Sequence, residues 1–101
     1  MPFSAPKHHP LSRDEAESLS IEALSFLAAD ANRLARFLYA TGLVPADIRS
    51  QAASAEFLAG ILDFIAADES LLLVFASERG IDPAMVLAAK RSLTPDPGGE
   101  F

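Results

Sequence analysis

The chain repeats itself. The segment Leu24 to Ile48 (LSFLAADANRLARFLYATGLVPADI) aligns without a gap on Leu62 to Val86 (LDFIAADESLLLVFASERGIDPAMV), 38 positions later. Ten of the 25 aligned positions are identical, among them Phe26/Phe64, Asp30/Asp68, Phe37/Phe75, Gly42/Gly80 and Pro45/Pro83. A window this rich in Ala and Leu should give only about two or three identities by chance. A fold that accommodates this chain must therefore use one local structure twice.

That local structure is helical. Ser12-Arg-Asp-Glu15 reads as a capping box, in which a hydroxyl and a carboxylate each satisfy a free backbone N–H at a helix start. Leu19, Ala23, Phe26 and Leu27 follow at i, i+4, i+7 and i+8, one helix face. Asp30 is an N-cap for a second helix bearing Leu34, Phe37, Leu38 and Thr41 on one face. Gly42 suits the left-handed position that ends it, with Leu43 as the apolar contact beyond the cap. Pro45 fits the first turn of a third helix, where its missing N–H costs nothing. From Ser54 the series starts again, with the stripe Phe57, Leu58, Ile61, Leu62 and Ile65, the cap Asp68, the terminator Gly80 and the pair Asp82-Pro83. The last helix uses Val86, Ala89 and Leu93.

These signals predict an all-α fold: a compact bundle of five or six short helices, built from two pseudo-repeated three-helix units. The breaks fall near Asp30, Gly42 to Pro45, Ala53/Ser54, Asp68 and Gly80 to Pro83. Residues 12–93 form a single helical domain. The proline-rich segment 1–11 and the tail 94–101 (TPDPGGEF) are expected to be disordered. The two copies differ most in their middle helices: Arg33, Ala35 and Arg36 align with Leu71, Leu73 and Val74. A helix apolar on all sides is central or covered by a partner. The second-copy helix is accordingly expected at the bundle axis, and the first-copy helix is expected to be amphipathic with Arg33 and Arg36 facing out.

Composition narrows the function classes. An apolar share of 50% over 101 residues is too high for a disordered chain and sufficient for one modest core. No cysteine is present, so disulfides and thiolate metal sites are excluded, and a reducing compartment fits. The start has no apolar core of signal-peptide type, and no run approaches the length of a membrane span. A cytoplasmic location, without membrane attachment, is the expectation. The net charge of −6, from 8 basic and 14 acidic residues, opposes phosphate backbones at long range.

The elements FLAAD…LARFL…TGL.P.DI and FIAAD…LLLVFA…G.DP resemble a short bacterial family, domain of unknown function 3572, across about Leu19 to Leu93. The resemblance rests on the caps Asp30 and Asp68, the Gly42-Leu43 turn, and Asp68-Glu69 followed by leucines. It implies an all-helical cytoplasmic domain and transfers no activity and no functional residue.

Each candidate site has a competing structural explanation. His8 and His9 are adjacent in a proline-rich segment with no Cys or further His, which is poor preorganisation for a metal. Asp63, Asp68 and Glu69 cluster in sequence as acid/base chemistry requires, but Asp68 has a sufficient role as a cap and Glu69 as a first-turn acid. Neither Gly42 nor Gly80 belongs to a phosphate loop, and Tyr39 and the hydroxyl residues lack a histidine partner in the folded part. No catalytic set, no metal site and no cofactor follow, and the chain is not expected to be an enzyme.

Two binding readings remain. Leu34 to Ile48 has the helix–turn–helix order of DNA readers, with Arg33, Arg36 and Arg49 as the candidate nucleic-acid contacts. The single basic residue of PADIRSQAA and the overall acidity make nucleic acid the weaker reading. The favoured one is a protein–protein interaction or self-association module, binding a protein partner or a second copy. Its surplus apolar residues are Leu38, Tyr39, Leu73 and Val74, and the expected open edge is Leu38, Tyr39 and Leu73.

Overall fold

The structure, a computed structural model, describes residues 11–94. They form six α-helices: α1 (Arg13–Ala28), α2 (Ala31–Thr41), α3 (Pro45–Gln51), α4 (Ala55–Ala66), α5 (Glu69–Arg79) and α6 (Ala84–Leu93). There is no strand among the described residues. Of the ends expected to be disordered, 1–11 and 94–101, residues 1–10 and 95–101 lie outside the described residues, while Leu11 is half-buried against the core and its carbonyl accepts from Ser92 Oγ at 2.9 Å.

Each boundary has a chemical cause. Ser12 Oγ accepts from Glu15 N at 3.0 Å and Glu15 Oε1 accepts from Ser12 N at 2.9 Å, closing the capping box. Asp30 Oδ1 accepts from the N–H groups of Asn32 and Arg33, and Asp68 Oδ1 from that of Leu71. Ser54 Oγ accepts from Phe57 N. Gly42 and Gly80 end their helices at φ +76° and +67°, the left-handed region. Leu43, the residue that follows Gly42, packs against the core as the sequence predicts, and Ile81 does the same after Gly80. Pro83 is the N-cap of α6, and just before it Asp82 Oδ1 accepts from Ala84 N at 2.9 Å.

The middle helices correspond at the 38-residue offset: α2 and α5 are both 11-residue helices that start after an aspartate and end at a left-handed glycine. Their surroundings differ. The centre of the molecule is α1, α4 and α6, which pack on one another, while α2 packs on α1 and α5 on α4. On α1, Ala16, Ser20 and Ala23 are fully buried at i, i+4 and i+7, a stripe of small residues that permits close helix approach. The Ser20 hydroxyl donates to the Ala16 carbonyl at 2.9 Å and so costs no unpaired polar group. On α6, which packs on α1, Val86, Ala89 and Leu93 are buried in the same core.

This corrects the expected axis. Helix α5 is peripheral: it buries Leu71, Phe75 and Ala76 on one stripe and leaves Leu73 and Val74 exposed. Its apolar residues on all sides do not place it centrally, because α1, α4 and α6 already cover one another. The third helices also differ: α6 is integral to the core and α3 has no buried residue.

Four phenylalanines join the copies crosswise. Phe26 of α1 packs on Phe75 of α5, with ring centroids 5.1 Å apart and planes at 56°. Phe37 of α2 packs on Phe64 of α4 at 5.3 Å and 77°, and also meets Phe57 edge-on at 6.3 Å. Phe26, Phe37 and Phe75 are buried, and Phe64 is half-buried against the same core.

Candidate functional site

The residues named for an open apolar edge divide. Tyr39 on α2 is 92% exposed, and on α5 Leu73 is 49% and Val74 41% exposed. All three are large apolar or aromatic side chains on the repeat-related middle helices. Leu38 departs from the expectation: it is half-buried against the core, because it lies one residue after Phe37 on the inward shoulder of α2.

The arginines named for nucleic acid are mostly committed within the chain. The Arg33 guanidinium lies over the Phe26 ring at 4.0 Å and donates to the Phe26 carbonyl at 3.2 Å. It is half-buried and does not face out as the sequence suggests, since a long stem and planar head can cover an aromatic face. Arg36 does face solvent, but its guanidinium is paired with the Asp68 carboxylate at 2.9 Å. Arg49 on α3 is exposed.

The sequence-clustered carboxylates are drawn into separate structural roles. Asp63 pairs with the Lys90 ammonium of α6 at 2.7 Å. Asp68 caps α5 and accepts from Arg36. The Leu71 backbone N–H, helped by Arg36, holds the Asp68 carboxyl below the usual carboxylate range, against an opposing effect of its partial desolvation. Glu69 is exposed in the first turn of α5. The histidine pair His8/His9 lies outside the described residues, and among the described residues no group of acids and histidines is arranged to hold a metal. No described helix is long and apolar enough to cross a membrane.

One feature escaped the sequence reading. An open groove of about 350 Å³ runs between α1 and the turn joining α5 to α6. Leu11, Leu19, Ile81 and Met85 form its apolar floor, and Asp14, Glu15, Ser18 and Glu22 its polar side. The acidic face of α1 is legible in the spacing of Asp14, Ser18 and Glu22. Half of its apolar counterpart, Ile81 and Met85, comes from some 60 positions beyond Leu19 and Glu22 and joins it only when the α5–α6 turn is brought onto α1.

The family comparison covers this whole six-helix body. Residues 13–96 match the family described as Protein of unknown function (DUF3572). The chain belongs to this family. The match runs from the first residue of α1 past the last of α6, so the DUF3572 unit contains the exposed apolar residues, the Arg36–Asp68 pair and the α5–α6 wall of the groove. Leu11, at the groove's end, lies just before the matched segment. No curated protein and no solved structure matches the chain.

Proposed function

We propose that this protein is a small cytoplasmic helical module that acts by binding another protein or a second copy of itself, and not by turnover. The observation that carries the reading is the exposure of Tyr39, Leu73 and Val74 on α2 and α5. Side chains of this size lose favourable burial when left in water, and a covering partner restores it. The commitment of Arg33 to Phe26 and of Arg36 to Asp68 speaks against the nucleic-acid alternative. The pairing of Asp63 with Lys90 and the capping role of Asp68 likewise speak for structural over catalytic carboxylates.

We also propose that α1–α2–α3 and α4–α5–α6 descend from one three-helix unit. The crosswise pairs Phe26–Phe75 and Phe37–Phe64 support it, since an exchange of copies converts one pair into the other. The third helices then represent the divergent part.

Light scattering across a concentration series, with pull-down from cytoplasm at low and high salt, tests the reading. A dimer, or a salt-resistant protein partner, that is lost in a Tyr39→Ser/Leu73→Gln variant is expected. Recovery of nucleic acid that disappears at high salt and in an Arg33/Arg36 double variant would establish the alternative instead. A monomer that captures neither would overturn both.

A further inference from the structure

We propose that the groove between α1 and the α5–α6 turn docks a basic amphipathic segment of another protein. The proposal rests on the binding-module reading but uses residues separate from Tyr39 and Leu73.

Charge complementarity determines the occupant. Asp14, Ser18 and Glu22 stand at i, i+4 and i+8, a straight polar ridge along one side of the groove. Glu15 is also on this side, with its carboxylate already accepting from the Ser12 N–H. The ion pairs among the described residues are Arg13–Glu17, Arg36–Asp68 and Lys90–Asp63, and neither Asp14 nor Glu22 takes part in them. Among the described residues no lysine or arginine lines the groove. The nearby Arg79 is turned to the Glu22 backbone carbonyl at 3.3 Å and toward the Phe75 ring, not to a carboxylate.

Two carboxylates outside the ion pairs of the described residues, beside an apolar floor, define the complementary surface. A ligand needs apolar side chains to cover Leu19, Ile81 and Met85, and cations to meet Asp14 and Glu22. A helix with leucine-like residues on one stripe and Lys or Arg flanking it supplies both at the same spacing. The groove is open to solvent, so a polypeptide segment can reach it. The net charge of −6 adds long-range attraction for such a partner.

The probe is a fluorescein-labelled synthetic helix of alternating Leu stripe and Lys face, with a second peptide in which every Lys is Glu. Both are titrated against the full chain by anisotropy, and contacts are mapped by amide chemical-shift changes. The Leu/Lys peptide is expected to saturate, with shifts centred on Leu19, Glu22, Ile81 and Met85, and the Leu/Glu peptide not to bind. Asp14→Lys/Glu22→Lys should weaken binding by about tenfold or more, as loss of close charge pairs does. Glu56→Lys/Glu78→Lys, the same change in net charge at exposed positions elsewhere, should bind as the parent does. Circular dichroism of both double variants checks that they fold.

Absence of saturable binding, shifts centred elsewhere, or equal weakening by the two double variants would overturn the groove assignment. The Tyr39→Ser/Leu73→Gln variant should still bind the peptide. Retained peptide binding with no self-association or partner at Tyr39 and Leu73 would reject the open-edge reading and leave the groove standing. Lost peptide binding with that edge intact would do the reverse.

Discussion

Phe26 and Phe75 join the first helix of one copy to the middle helix of the other, with ring centroids 5.1 Å apart. Adding 38 to the first number and subtracting it from the second gives Phe64 and Phe37, which meet at 5.3 Å. The first contact joins α1 to α5 and the second joins α2 to α4. Phe75→Ala and Phe37→Ala should each destabilise the fold by about 3–5 kcal/mol, the range for large buried aromatics. Urea denaturation measures this. A loss under about 1 kcal/mol at both positions would place these rings outside the cooperative core.

The Arg33 guanidinium covers the Phe26 ring and also donates to the Phe26 carbonyl. Arg33→Ala removes a cation–π contact and a hydrogen bond together, and should cost about 1–2 kcal/mol. Arg33→Lys retains the charge but loses the planar stacking, and should recover only part of that. If Arg33→Ala behaves as an ordinary surface substitution in thermal denaturation, the stacking contributes nothing to stability.

Gly80 holds φ +67°, and a methyl group placed there would meet nothing within 4 Å. The cost of Gly80→Ala is therefore conformational alone, about 1–2 kcal/mol for an L-residue in the left-handed region. Gly80→Asn should cost less, because asparagine tolerates this region. Equal stabilities for the three residues would show that the turn relaxes to another conformation. The same order is expected at Gly42, where φ is +76°.

The Asp68 carboxyl is held below its usual range by the Leu71 N–H and by Arg36. A carboxyl depressed in the folded state favours folding while it is ionised. Its contribution is complete above the unfolded value of about 3.9 and is lost as pH falls through the lower folded value. Asp68→Asn should therefore reduce stability at neutral pH and flatten its fall below about pH 4. Parallel urea titrations of parent and variant at a series of pH values check this. Parallel curves would mean that Asp68 ionises alike in both states.

Tyr39 and Leu73 contribute little to the fold, since both are exposed. Tyr39→Ser and Leu73→Gln should change stability by no more than about 0.5 kcal/mol, as surface substitutions do. Their combined effect should appear in association, measured by sedimentation. A large loss of stability would mean that these side chains are buried in the monomer.

The local structure was written in the sequence. The caps Ser12, Asp30, Ser54 and Asp68, the left-handed Gly42 and Gly80, and the apolar stripes act within a few residues of themselves, so spacing alone predicts the helices they bound. The core phenylalanines Phe26, Phe37 and Phe75 were equally legible, because their repeat-related positions fall on those stripes. Tertiary packing decided which helices are central. Hydrophobicity put α5 at the axis, yet the small stripe Ala16, Ser20 and Ala23 lets α1, α4 and α6 close on one another and leaves α5 outside. It also decided the fate of the long side chains: Arg33 reaches a ring seven residues back, and Arg36 a carboxylate in the other copy. The groove is of the same kind. Its acidic ridge is a helix periodicity, but its floor joins Leu11 and Leu19 to Ile81 and Met85, and a local pattern carries no record of contacts made across the chain.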